Sequence, residues 1–202
     1  MGRAPYDRGE LLGRIEADIA GQLGKRPHRL EHSRRVAETA VELARTYGVD
    51  QFDARVAGLL HDYAKAYSGR EQLEKAHAFG LDFGCDLSLV LPILHGPIAA
   101  RELRGVYPEL DAAVFEAIEH HTVASPAMSA LDMVIYIADG IEPGRSSTPR
   151  VERQRALVGA VGLEELFLET FAGSISYVLE TKRFLWPGTV ETYNHYVLQR
   201  TR

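Results

Sequence analysis

Cysteine is nearly absent from this chain of 202 residues. Cys85 stands alone, which excludes an intrachain disulfide and a cysteine-based zinc site and makes a reducing cytoplasm the expected location. Positive charge is also short: 23 Lys and Arg against 28 Asp and Glu leave a net charge of -5. Affinity for a phosphate backbone rests on a Lys/Arg surplus, so a dedicated nucleic-acid surface is not expected. No apolar run approaches the ~18 residues needed to span a bilayer, and no membrane association is expected. The opening stretch MGRAPYDRGELLG has no basic segment followed by an apolar one, and it carries Tyr6 where a myristoylation signal places Ser or Thr. Internal repeats and low-complexity segments are missing too.

What is present is an ordinary globular composition, 46% hydrophobic and 25% charged, at a length that suits one domain with a sizeable core. Its periodicity is helical nearly throughout. Between Leu30 and Tyr47 the apolar positions Val36, Ala40, Val41, Leu43, Ala44 and Tyr47 line one face, and Gly48 follows as a helix stop. Asp50 is placed to cap the next helix, ARVAGLLHDYAK, with Asp53 in its first turn. LSLVLPILHGPIAARELRG predicts two helices broken between Pro92 and Pro97. LDAAVFEAIEHHT is amphipathic. Ser129 with Asp132 forms a capping-box pattern for a helix that Pro143 ends, so MVIYIA is helical despite its β-like composition. Two further helices follow, VGLEELFLETFAGSISYVLETKRFL and VETYNHYVLQ. EPGRSSTPR is the one linker-like stretch, too short to divide the chain. The fold class is therefore all-α: a single helical bundle over 1–202, with the chemistry concentrated in about 28–145 and C-terminal helices over about 150–202 packed against it.

Several polar residues interrupt apolar helical context. His61 and Asp62 are adjacent in GLLHDYAK, His32 lies one turn before Val36, and Asp139 sits among Val134, Ile135, Ile137 and Ile141. An unpaired carboxylate there would be costly, and a divalent cation removes that cost. Two imidazoles and two carboxylates make a mixed N/O set suited to Fe, Mn, Co, Ni or Zn. His77 and His195 read as surface or interhelical residues. Taken singly, each of these residues has an ordinary structural explanation; what needs explaining is their occurrence together on separate amphipathic helices.

The order LEH at His32, LLHDYAK at His61 and Asp62, LHGP at His95, HHT at His121 and IADGIEPGR at Asp139 resembles the HD-domain metal-dependent phosphohydrolases. Pairing HDYAK with ADGIEPGR narrows the resemblance to the YqeK-type HD family, the symmetrical bis(5′-nucleosyl)-tetraphosphatases. The likeness runs from about His28 to WPGTVETYN. It implies a helical HD fold, a site preferring iron with one or two ions, and cleavage of diadenosine tetraphosphate into two ADP by a metal-bound water. The implied metal ligands are His32, His61, Asp62 and Asp139. Asp62 would orient the water, and His95 and His121 would donate a proton, face the phosphates or complete a second metal position. His28, Lys65 and Arg145 would contact phosphate or nucleotide. The segment around Trp186, Pro187 and Asn194 would shape a base pocket, and a homodimer is compatible with the family.

On a continuous helix Lys65 lies one turn past the ligands, so HDYAK would present two ligands and a cation on one surface. One departure stands out: the family follows HT with Gly-Arg or Gly-Lys, whereas this chain has Ala124 and Ser125. A cation is therefore missing there, which keeps hydrolysis of another nucleotide, or nucleotide binding without turnover, as alternatives.

Overall fold

A computed structural model describes residues 6–200; the signal readings drawn from Met1 to Pro5 lie outside the described residues. Ten α-helices and two short 3-10 turns, with no strand, make up the regular structure among the described residues. They are α1 (Arg8–Leu23), α2 (Pro27–Tyr47), α3 (Gln51–Leu60), α4 (Gly69–Ala78), α5 (His95–Val106), α6 (Ala112–His120), α7 (Ala130–Ile141), α8 (Pro149–Leu157), α9 (Leu163–Glu180) and α10 (Pro187–Arg200). No helix among them is long and apolar enough to cross a membrane.

The helix boundaries follow local chemistry. Asp50 accepts from the Phe52 and Asp53 amides at the start of α3, and Ser129 and Asp132 form a reciprocal capping box at the start of α7. Gly48 ends α2 in the left-handed conformation that only glycine adopts without strain. Helix α7 is buried on nearly every side from Leu131 to Ala138, which explains a run apolar enough to imitate a strand. It packs against α2, α6 and α9, and α2 packs in turn along α3. That last pairing is unusually close: a Cβ on Gly58 would stand 2.6 Å from the Ala37 Cα.

Four expectations are revised. The helix carrying HDYAK does not continue through Lys65: α3 stops at Leu60, His61 is its C-cap, and Tyr63–Ala66 is a 3-10 turn. Asp62, at φ -95° and ψ 13°, is the residue where the backbone leaves the helix. Pro97 does not break a helix either. It falls in the first turn of α5, where an amide has no intrahelical acceptor and proline is tolerated. Upstream of it, the expected helix is only the 3-10 turn Leu91–Ile93. The linker-like stretch ends as a helix start, with Thr148 accepting from the Val151 amide and Pro149 opening α8. Helices α1 and α4 were not anticipated.

Candidate metal centre and nucleotide cleft

The unusual polar residues converge. His32 comes from α2, His61 and Asp62 from the end of α3, His95 from the first turn of α5, His121 from the end of α6 and Asp139 from the last turn of α7. His32 Nε2 lies 3.0 Å from Asp139 Oδ1, and His61 Nε2 lies 3.7 Å from Asp62 Oδ1 and 3.8 Å from Asp139 Oδ1. A second group shares Asp62, whose Oδ1 is 3.2 Å from His95 Nε2. His32, His61 and Asp62 form one set able to hold an ion, and Asp62, His95 and His121 form another.

Tautomers decide whether these sets fit a cation. His61 Nδ1 donates to the Gly58 carbonyl at 2.7 Å and His121 Nδ1 to the Ile118 carbonyl at 2.6 Å. His32 Nδ1 donates to Glu142 at 3.1 Å. With the proton on Nδ1, each of these rings presents an Nε2 lone pair to the cluster. Yet His32 and His61 bring their Nε2 atoms to 3.3 Å, and His95 and His121 to 3.1 Å. Where both rings hold their proton on Nδ1, as at His32 and His61, facing Nε2 lone pairs repel unless positive charge lies between them, so with the carboxylates beside them the donor set fits a divalent cation. His95 is the exception in its tautomer, because its Nδ1 is buried without a partner.

Burial sets the charge states. It pushes His61 and His95 below the ordinary histidine value and His121 well below it, with His61 and His95 adding to the effect on His121. Neutral rings are good ligands and poor proton donors, so the arrangement favours ligation over acid catalysis for His95 and His121. Asp62 and Asp139 are buried against ionisation, but the surrounding imidazoles, and Arg145 for Asp139, outweigh burial and hold both well below the usual carboxylate range.

Over this floor opens a cleft of about 660 Å³ lined by five cations, Arg29, Lys65, Arg145, Arg150 and Arg183. Lys65 reaches it from the 3-10 turn, half-buried and with its ammonium value lowered by burial. Arg145 is engaged with Asp139, donating Nε to the Asp139 carbonyl and Nη2 to its carboxylate. His28 is exposed on the first turn of α2 and does not line the cleft; its neighbour Arg29 does, and binds Asp62 at 3.0 Å. Ala124 and Ser125 do not line it either. Ala124 has a φ of 54°, a left-handed backbone that glycine would adopt without strain. An apolar cavity of about 570 Å³ adjoins the cleft, walled by residues such as Tyr136, Phe171, Phe184 and Trp186 and sharing Arg183 with it. Arg29, Glu142, Arg150 and Arg183 were missed in the sequence. Glu142 alone carried a signal, an acid three residues past Asp139 at the end of the same apolar helix.

The sequence profile of the HD domain matches residues 29–144, more than half of the chain. The chain belongs to the HD-domain family. A symmetrical bis(5′-nucleosyl)-tetraphosphatase from Halalkalibacterium halodurans is 34% identical over 86% of this chain and 91% of its own length. The protein of the same name from Bacillus subtilis is 32% identical over 83% and 88%. Among solved structures, a predicted HD superfamily hydrolase involved in NAD metabolism from Clostridium acetobutylicum superposes with a TM-score of 0.83 at 33% identity. That match covers 98% of this chain and 100% of the other.

Proposed function

We propose that this HD-family protein hydrolyses diadenosine tetraphosphate symmetrically: water adds to one of the two central phosphorus atoms, the central P–O–P bridge breaks, and two ADP leave. The observation that carries this reading is the stacking of three features in one cleft. Imidazole and carboxylate ligands would form its floor, five cations line its walls, and an apolar cavity large enough to admit a nucleobase opens beside it. Relatives named for this activity match over most of their length, which supports the same substrate here.

His32, His61, Asp62 and Asp139 would hold one divalent cation, and His95 and His121 with Asp62 a second. When bound, such an ion supplies Lewis acidity toward the phosphate and acidifies a water from about 15.7 towards about 7. Iron is the metal we assign, on the resemblance to the YqeK-type HD family; the mixed N/O donor set accommodates it along with Mn, Co, Ni or Zn. Asp62, ionised and facing both groups, would accept a hydrogen bond from the attacking water and orient it. Lys65 and Arg183 bind the phosphate chain and take up charge developing on it. Arg145 holds Asp139 and Arg29 holds Asp62, each keeping a carboxylate oriented toward the floor. The base lies in the apolar cavity against Trp186, whose indole N–H is already given to the Phe83 carbonyl. Recognition there rests on shape and ring contact.

Chromatographic product analysis with iron-loaded protein under reducing conditions tests the proposal. ADP as sole product, abolished by a chelator, supports it; ATP with AMP, or unchanged substrate, rejects it.

A further inference from the structure

Three of the cluster histidines have their Nδ1 protons fixed, but in two different ways. His61 and His121 each use a carbonyl three residues back in their own chain segment, Gly58 and Ile118. His32 instead reaches across the fold to the carboxylate of Glu142, 110 residues away. Glu142 is 2% exposed, and its other oxygen accepts from Arg35 Nε at 2.7 Å and from the Gly144 amide. Arg155 fixes the same turn from α8, donating to the Ile141 and Glu142 carbonyls at 2.9 and 2.8 Å. The turn passes directly beneath Arg35: a Cβ at Gly144 would meet its guanidinium at 2.5–2.6 Å.

We infer that Glu142 is a positioning residue for the metal centre, holding His32 with its proton on Nδ1 so that the Nε2 lone pair faces the ion. Such a partner raises the basicity of its histidine and fixes the ring, and its loss weakens metal affinity by about 10- to 100-fold in comparable sites. The inference rests on His32 being a ligand. Its rival is purely structural: Glu142 and Arg35 would be a buried ion pair fastening α2 to the end of α7, with no bearing on the ion.

Manganese titration of the metal-stripped full chain, followed by electron paramagnetic resonance, separates the two. Glu142→Ala is expected to weaken manganese binding by about 10- to 100-fold. Glu142→Gln keeps the side chain's shape, but its single oxygen stays with the two donors on its far side, Arg35 Nε and the Gly144 amide, so its NH2 faces His32 and manganese binding weakens as in Glu142→Ala. In a His32→Ala background, adding Glu142→Ala changes nothing further, because the residue acts through that ring. An equal loss in both backgrounds, or unchanged affinity in Glu142→Ala, overturns the inference while leaving His32 a ligand. Unchanged affinity in His32→Ala overturns the reading of the site itself. Should Glu142→Ala not fold, the zinc-loaded Glu142→Gln protein decides by NMR. The His32 Nδ1 proton shifts relative to wild type if Glu142 is its acceptor, and an unmoved resonance overturns the assignment.

Discussion

His61 lies buried beneath the cleft that Arg183 lines, and the two are held by different means. His61 is wholly buried, at the end of a helix packed against α2, with its ring fixed by a backbone carbonyl. Arg183 is exposed in the loop between α9 and α10, where its guanidinium rests over the Tyr177 ring at 5.4 Å. The ligand floor is thus largely buried, while the outer wall at Arg183 is open to solvent. A metal site needs fixed lone pairs, because small displacements lose coordination geometry. A phosphate-binding cation acts over longer distances and tolerates side-chain freedom. Disturbance of the floor should therefore be all-or-none and disturbance of the wall graded.

The largest effect is expected at the floor. His61→Ala or Asp62→Ala should lose metal and hydrolysis together, read by metal analysis and ADP release on the same sample; a variant that turns over normally would remove these residues from the site. Gly58→Ala tests the packing beneath them. Its new Cβ meets backbone atoms of Ala37 rather than a yielding side chain, so α2 and α3 must separate. We expect a loss of about 1–3 kcal/mol in denaturant unfolding, as for other overpacked cores. An unchanged midpoint would show that the two helices part easily.

On the wall, the two cations should differ. Lys65 is half-buried over the ligands, and removing a charge-assisted contact of about 1.5–3 kcal/mol lowers kcat/KM by about 10- to 150-fold with metal content intact. Arg183→Ala should cost only a few-fold, and its effect should fade in salt, because exposed charges are screened. Equal, salt-independent losses would erase the distinction between buried and solvated cations.

The smallest effect lies outside the site. Burial opposes ionisation of Asp50, but the Asp53 and Phe52 amides and Arg8 lower its carboxyl below the ordinary value. The folded value being depressed, its contribution is present above the unfolded value of about 3.9 and disappears as pH falls through the folded one. Asp50→Ala should therefore cost about 1 kcal/mol at neutral pH and progressively less below about pH 4 in thermal melts. A cost that grows on acidification would contradict the cap.

The floor was legible in the sequence because it is buried. Buried His and Asp residues interrupt apolar periodicity, and His32, His61, Asp62, His95, His121 and Asp139 all stood out on that ground or through the family motif. The wall gave no such signal: Arg150 and Arg183 resemble any solvated arginine until the fold brings α8 and the loop after α9 over the cluster. The same limit explains His28, which lies close to His32 along the helix yet is exposed, while Arg29 enters the cleft. Helix ends were legible where a capping side chain marks them, as at Asp50 and Ser129. The stop at His61 was not, because no glycine or proline announces it; the chain leaves α3 there and turns directly into the 3-10 segment. Glu142 lay in plain view within IADGIEPGR, but its role depends on His32, which is distant in sequence.

The most direct test of the central claim is hydrolysis of diadenosine tetraphosphate by the iron-loaded protein in water enriched in oxygen-18, with mass analysis of the products. Attack by water at a central phosphorus should give ADP alone, half of it carrying one heavy oxygen on its terminal phosphate. ATP and AMP as products, or intact substrate in the presence of a filled metal site, would contradict it.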